Sequence, residues 1–452
     1  MVAEKSLFGT SGIRGPADTL FTKQFCFDIA RTFVEFLKKH GIQGPIAVGM
    51  DPRESSPRIK ADLFMGLALS GEELFDEGVT PIPSMNWLIK NTPIVAGIMI
   101  TGSHIAPQLN GLKFYAHDEE VSVEDQNEIE DIYYSLRENQ RPDSATIQVH
   151  IESRAAELYS EMLFSLTRSP YPKWKVGLDC ANGAQSVVMP SFLKRLGLEV
   201  VEVNCDPQQN FIARDTDTDD KAQLETLKLT VKEEKCDFGI AYDGDGDRVV
   251  FIDETGNFVQ GEYSCCLIAR QSPGDYLVTP ISASQVVETI GKKVVRTKVG
   301  SPYVVGKMKE LGASFGFEPN GGAVFAEIMY TRDGGSMTVK MLNLFSKYDG
   351  TFSQLVGQLP KFFMFRTKVD YKWELKDKIL EEAKRHFKGV RVEEMDGLKI
   401  WINDTTWMLF RSSANAPEFR VFAESKNEEE AKKLLVDGIA LVNNIIAANG
   451  RS

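Results

Sequence analysis

Residues 94–113 read IVAGIMITGSHIAPQLNGLK, an apolar run through 94–101 that breaks into a polar loop. A short apolar run bounded by turn residues marks a strand buried on both faces, as in a parallel sheet covered by helices. Upstream, Thr22 to Lys39 carries apolar residues at helical spacing and stops at Gly41, and IAVGMD (46–51) reads as a second short buried strand. Arg58 to Asp76 reads as another helix, stopping at Gly78. Helices alternating with apolar strands predict an α/β unit with a mainly parallel sheet.

The pattern recurs downstream. WKVGLDCANG (174–183) leads through a helix ending near Gly197 into LEVVEV (198–203). DYLVTPISAS (275–284), KKVVRTKVG (292–300), SPYVVGKMKELG (301–312) and ASFGFEPNGG (313–322) repeat the theme. From about Lys361 the texture changes to strands such as LKIWIN (398–403) and TWMLFR (406–411), followed by RVFAES and an amphipathic helix from Glu428 to Ile446. The expected fold is three related α/β domains, 1–150, 151–256 and 257–362, with mixed, mainly parallel sheets, and a C-terminal α+β domain, 363–452. A chain of 452 residues, at about 150 residues per domain, by length alone should hold roughly three domains, each large enough for its own core.

Asp and Glu number 64 against 52 Lys and Arg, a net charge of -12, so the overall field repels nucleic acid and acidic membranes. An anionic substrate must therefore be captured by a local cluster of cations. The start, MVAEKSLFGTSG, lacks a basic segment followed by an apolar stretch, and no apolar run reaches the length of a membrane span. A cytoplasmic location is the expectation. Cys26, Cys180, Cys205, Cys236, Cys265 and Cys266 form no CxxC pair and sit mostly in apolar runs, which predicts buried thiols and argues against a disulfide framework or zinc site.

The sharpest chemical signal is Asp243-Gly244-Asp245-Gly246-Asp247-Arg248, set between the apolar strands DFGIAY (237–242) and VVFID (249–253). Three carboxylates at alternate positions repel one another unless a cation joins them. An EF-hand fails on context, because Arg248 stands where that loop needs glycine and the flanks are strands. Mg²⁺ fits, since it accepts a few carboxylates and leaves room for a phosphate oxygen. In TGSHIAPQLNGLK (101–113) the strand end exposes Ser103 on a tight turn. A serine hydroxyl is a weak nucleophile alone, and His104 and Lys113 are the candidates to assist it.

Three further loops offer ligands. FGTSGIRG (8–15) carries Thr10, Ser11 and Arg14 ahead of any expected secondary structure. RSSANAPEFR (411–420) offers Arg411, Ser412, Ser413, Asn415 and Arg420, and two guanidiniums beside hydroxyls suit a phosphate. GFEPNGG (316–322) places Glu318 and Asn320 before paired glycines, where they can accept sugar hydroxyls or shape a turn.

In this order the five loops resemble the α-D-phosphohexomutases: phosphomannomutases, phosphoglucomutases and phosphoglucosamine mutases. The resemblance implies that Ser103 is a phosphoserine, that Asp243, Asp245 and Asp247 hold Mg²⁺ with it, and that the active site lies in a central cleft where four domains meet. It implies acid/base roles for His104 and Lys113, and places Arg14 and Arg248 around the transferring phosphoryl. Glu318 and Asn320 would read the sugar, while Arg411, Ser413, Asn415 and Arg420 would anchor the non-reacting phosphate. The implied reaction interconverts hexose 1- and 6-phosphates of mannose or glucose through a hexose 1,6-bisphosphate intermediate, with hexose phosphate as the expected partner and a homodimer as an assembly open to the chain.

The chain departs from the family pattern at three loops. Ile105 and Ala106 stand where Asn-Pro is usual, and Ala414, Asn415 and Ala416 replace Gly-Thr-Glu. Glu-Pro-Asn-Gly-Gly replaces Glu-x-Ser-Gly-His, so Gly322 stands where a histidine is usual, which leaves phosphoglucosamine mutase open. Two other classes are a phosphatase that discharges phospho-Ser103 to water and a catalytically silent sugar-phosphate binder. The intact Ser103 and three aspartates argue against the latter.

Overall fold

The computed structural model describes residues 7–9, 12–136, 147–214, 221–413 and 417–449. Thr10, Ser11 and Asn415 lie outside the described residues. The chain forms two compact units, Met1–Ile268 with Asn320–Val356, and Ala269–Pro319 with Gly357–Ser452. The expected class holds: α/β domains with mixed sheets precede a C-terminal α+β domain.

In the first unit a sheet runs in the order Ile13–Pro16, Leu109–Ala116, Ala96–Ile100, Ile46–Met50, Leu74–Val79, Val149–Ile151. The last four strands are parallel, and the first two pair antiparallel at one edge. Every residue of Ala96–Ile100 is buried, as a central strand covered on both faces requires. The helix Lys23–Lys39 starts where the Thr22 side chain accepts the Phe25 N–H, which satisfies one orphan donor of its first turn. Its Ile29, Phe33 and Leu37 face the same core as Ile98, Ile100 and Phe114.

Two local expectations are corrected. The stretch read as one helix to Asp76 is the helix Ser56–Leu67, a short turn to Ser70, and then the strand Leu74–Val79. Gly71 breaks it, adopting φ 75°, a left-handed conformation that costs glycine nothing. Arg14, expected ahead of any regular structure, lies on the edge strand Ile13–Pro16 in register with Gly111.

A second sheet of this unit runs Phe258–Val259, Val249–Asp253, Phe238–Tyr242, Lys175–Asp179, Glu199–Val203. Phe238–Tyr242 and Val249–Asp253 form an antiparallel hairpin with Tyr242 opposite Val249, so the aspartate loop is its turn. The unit also holds the antiparallel strands Gly322–Phe325 and Met329–Arg332, and the helix Gly334–Phe345 capped by Asp333.

In the second unit Lys293–Thr297, Tyr276–Pro280 and Phe315–Glu318 are parallel neighbours. Its other sheet, Phe363–Asp370, Glu418–Ser425, Thr406–Ser412, Leu398–Asn403, Arg391–Glu393, is wholly antiparallel. Ile379 and Ala383 of one helix and Val442 and Ile445 of another share a core with its strands. All six cysteines are free thiols, five of them buried, while Cys205 is partly exposed. Among the described residues no helix is long and apolar enough to cross a membrane.

Candidate active site

The serine loop is fixed before any ligand is considered. Ser103 is buried and sits at φ 53°, a left-handed conformation that non-glycine residues rarely adopt. It is held there by its own N–H, which donates to Thr101 Oγ1 at 2.8 Å, and by its carbonyl, which accepts from Arg53 Nη2 at 2.9 Å. Arg53 spends its remaining donors nearby: Nη2 also reaches Ile105 O (2.8 Å), Nη1 reaches Ala106 O (2.8 Å) and Leu109 O (3.0 Å), and Nε reaches Asp51 Oδ2 (3.0 Å). Asp51 Oδ2 further accepts from Thr101 Oγ1 and the Gly102 N–H at 2.9 and 3.2 Å. A side chain on Gly102 would meet the Arg53 guanidinium at 2.7 Å. Asp51 and Arg53 were not singled out from the sequence. Their signal was that Asp51 directly follows the carboxyl end of the buried parallel strand Ile46–Met50, the edge at which α/β sheets place their sites.

The aspartate loop meets this one directly. Ser103 Oγ donates to Asp243 Oδ2 at 2.9 Å, across 140 residues of sequence. Ligand atoms of Asp243, Asp245 and Asp247 lie within 4.8 Å of one another, and all three residues are buried. The approach depends on Gly244, whose added Cβ would stand 2.6 Å from Ser103 O and 2.3 Å from the ring of Phe211. Asp245 Oδ1 and Asp247 Oδ1 are buried with no hydrogen-bond partner among the described residues. Burial first, then the charges of Asp245 and Asp247, push the Asp243 carboxyl well above its ordinary range. Buried, converging, under-satisfied carboxylates are what a hard cation requires, so the donor set fits Mg²⁺.

Cations ring the acidic loop. Arg248 Nε lies 3.6 Å from both Asp243 Oδ2 and Asp247 Oδ1. Its Nη1 lies 3.1 Å from His104 Nδ1, and because a guanidinium only donates, that ring nitrogen accepts. His104 Nδ1 is 3.4 Å from Ser103 Oγ. Lys113 is buried, its Nζ 3.6 Å from Glu120 Oε2 and 4.0 Å from Asp247 Oδ2. Arg332, which sequence reasoning missed, reaches Asp247 Oδ2 through Nη2 at 2.5 Å. Burial raises the Asp247 carboxyl, but Arg332, Lys113 and Arg248 outweigh it and the net shift is downward. Arg14 joins the cluster: burial lowers its pKa to about 10, opposed by Asp245 and reinforced by Arg248 and Arg332.

The structure thus brings Ser103, His104, Lys113, Arg14, Arg248 and the three aspartates into one region of the first unit. Asn320 is in the same unit, where its Oδ1 accepts the Gly322 N–H at 3.2 Å and shapes the turn. Glu318, Arg411, Ser413 and Arg420 belong to the second unit. There Glu318 ends a strand and is buried. Arg411 and Arg420 are direct cross-strand partners, with Lys368 opposite Arg420 on the other side. Like charges opposite one another destabilise a sheet unless they are paired, and Glu418 lies beside two of them, 2.5 Å from Lys368 Nζ and 3.7 Å from Arg420 Nη2. Asp396 Oδ2 accepts from Arg411 Nε at 2.7 Å, and the Ser413 N–H donates to Glu418 O at 2.8 Å.

Comparison with known proteins identifies the family. The sequence matches the phosphoglucomutase/phosphomannomutase alpha/beta/alpha domains I, II and III over residues 5–140, 155–256 and 261–363. A phosphoglucomutase/phosphomannomutase of Thermococcus kodakarensis is 35% identical, covering 96% of this chain and 98% of that protein. A phosphoglucosamine/phosphogalactosamine mutase of Sulfurisphaera tokodaii is 32% identical over 95% of this chain and 97% of its own. The crystal structure of a phosphoglucomutase/phosphomannomutase family protein from Burkholderia thailandensis has the same fold, with a TM-score of 0.82 at 22% identity, covering 98% of each chain. The chain belongs to the phosphoglucomutase/phosphomannomutase family and is an isomerase of the phosphohexomutase type that acts on hexose phosphates.

Proposed function

We propose that Ser103 carries the phosphoryl group and that the enzyme interconverts the 1- and 6-phosphates of glucose or mannose through a hexose 1,6-bisphosphate. The observation that carries this reading is the 2.9 Å contact between Ser103 Oγ and Asp243 Oδ2, inside a buried ring of three carboxylates and several cations. Asp243, Asp245 and Asp247 would hold Mg²⁺, which when bound supplies positive charge against the oxygens of the phosphoserine. Phosphoryl transfer passes through a loose, highly charged transition state, so positioning and fixed cations supply most of the catalysis. Arg14 and Arg248 would take that role.

In the first half-reaction the free hydroxyl oxygen of a hexose phosphate attacks phosphorus. The bond from phosphorus to Ser103 Oγ breaks, and the hydroxyl proton leaves for a base. His104 Nδ1 already accepts from Arg248, so a proton arriving there would displace that bond. Lys113 Nζ, 3.6 Å from Glu120 Oε2 and 4.0 Å from Asp247 Oδ2, is the other candidate, and it would take the proton only as a neutral amine. The second half-reaction runs in reverse from the other phosphate of the bisphosphate and rephosphorylates Ser103. Glu318 and Asn320 would read the sugar hydroxyls, and Arg411, Ser413, Asn415 and Arg420 would grip the phosphate that is not reacting.

Intact-mass analysis for one phosphate, followed by its transfer to glucose, mannose and glucosamine monophosphates, tests the reading. Transfer from Ser103 with release of the isomerised sugar phosphate is the expected result. Steady release of inorganic phosphate without isomerisation would instead make the enzyme a phosphatase. Glucosamine phosphate as the preferred substrate is the second reading, kept open by the altered sugar loop and by the similarity to the Sulfurisphaera tokodaii mutase.

A further inference from the structure

We propose that Gly322 and Arg332 work as a pair, in which the missing side chain at 322 admits the Arg332 guanidinium to Asp247 and so sets the charge at the cation site. Gly322 has no need of glycine for its backbone, because its φ lies outside the left-handed region that favours glycine. What it provides is space. A Cβ there would stand 2.5 Å from Arg332 Cδ and 3.1 Å from Arg332 Cγ. Those are mid-chain atoms, so even alanine forces the arginine out of its path.

That path ends on Asp247 Oδ2 at 2.5 Å, a shorter approach than those of Arg248 (3.6 Å) and Lys113 (4.0 Å) to the same carboxylate. The arginine is anchored from behind. The next residue, Asp333, donates its N–H to Ala323 O at 2.8 Å and caps the helix Gly334–Phe345. A Cβ on Gly334 would lie 2.9 Å from Gly246 O, so this segment abuts the aspartate loop itself. Arg332 is thus a positioning residue. It holds one oxygen of Asp247, leaves the other for the cation, and keeps positive charge beside a pocket that must accept a phosphoryl dianion.

The inference rests on the cation site proposed above, and its test separates the two. Mn²⁺ alone is titrated into wild type, Arg332→Ala, Gly322→Ala and the double variant, with electron paramagnetic resonance reporting free ion and mutase turnover measured in parallel. Repulsion between the guanidinium and a divalent ion held by the same carboxylate would outweigh the loss of the ion pair that orients Asp247. Either single variant should therefore bind Mn²⁺ roughly tenfold more tightly while kcat/KM falls roughly 10- to 100-fold, the range for a lost charge-assisted bond. The double variant should match Arg332→Ala in Mn²⁺ affinity, because the arginine that alanine at 322 would displace is already gone, although its Cβ would still stand 3.1 Å from Asn320 Oδ1.

A purely structural role would loosen the site and weaken Mn²⁺ binding, so unchanged or weaker binding in Arg332→Ala overturns the proposal, as do additive losses in the double variant. Should Arg332→Ala not fold, Arg332→Lys, which keeps the charge, is expected to hold Mn²⁺ like wild type while Gly322→Ala tightens it. The reverse order refutes the pairing. Absence of Mn²⁺ binding by wild type would instead remove the cation site, and this inference with it.

Discussion

Arg53→Lys isolates what the serine loop costs to hold. The arginine makes four hydrogen bonds to loop carbonyls, of Ser103, Ile105, Ala106 and Leu109, and a fifth to Asp51. Lysine keeps the charge and so spares Asp51 from burial beside no cation, but it has only three donors on one atom. At least two carbonyls then lose their partner, at about 1–2 kcal/mol each, so the loop should open about 2–4 kcal/mol more easily. Local opening is read by amide hydrogen exchange, and peptides spanning 101–113 should exchange roughly 30- to 1000-fold faster in the variant. Strand Glu199–Val203 in the second sheet should not change. Turnover should fall roughly 100-fold, since that is the cost of a reacting group misplaced by about 1 Å. Loop exchange equal to wild type would refute the reasoning, because the left-handed Ser103 would then need no staple.

Ser103→Ala should abolish mutase turnover and phosphate incorporation while calorimetry shows sugar-phosphate binding largely kept; turnover like wild type would remove Ser103 from the mechanism. Gly244→Ala, whose Cβ would stand 2.6 Å from Ser103 O, should force the two loops apart and cost at least about tenfold in kcat with a lowered melting temperature. Chelation of divalent ions should stop turnover, and Mg²⁺ added back should restore it, as followed by a coupled assay. Glu77 is buried, its Oε1 has no hydrogen-bond partner among the described residues, and burial raises its carboxyl above the ordinary glutamate range. The folded state therefore holds that proton more tightly than the unfolded state, so wild type loses stability as pH rises through the raised value. Glu77→Gln should gain on wild type in melting temperature between acid and neutral pH, and a constant difference would count against the assignment.

Strands and motif loops were legible in the sequence because their signals are local. IVAGIMIT is apolar throughout, and three aspartates in five residues announce themselves. The supporting residues were not, for reasons that differ. Asp51 and Arg53 follow a strand as any polar turn might, and only the neighbouring strand, fifty residues later, turns them toward the serine. Arg332 is hidden in MYTR, the last residue of an unremarkable strand, and its partner Asp247 is 85 positions away. The false helix past Leu67 came from the apolar run LALSGEELF, in which helical spacing and strand alternation coincide until Gly71 decides the matter. The anchor loop was readable as residue types, yet the cross-strand pairing of Arg411 with Arg420 is a matter of register.

The contact between Ser103 and Asp243 is therefore a product of backbone packing before it is a product of charge. Three carboxylates this close would part if only electrostatics acted on them, yet they stay converged because the loops that carry them are pinned elsewhere. On one side Arg53 holds the Ser103 carbonyl, and on the other Gly244 lets the aspartate loop lie against that same oxygen. Phe211 joins the two, its ring 4.4 Å from the Arg53 guanidinium carbon and in contact range of Gly244. Reorganisation on cation binding is then small, and the attraction of the ion is available for holding phosphate oxygens rather than for gathering its ligands. The same logic explains why so many cations sit beside the aspartates. A preformed acidic ring without neighbouring positive charge would repel any phosphate brought to it, and Arg14, Lys113, Arg248 and Arg332 supply that charge from four different segments of the first unit.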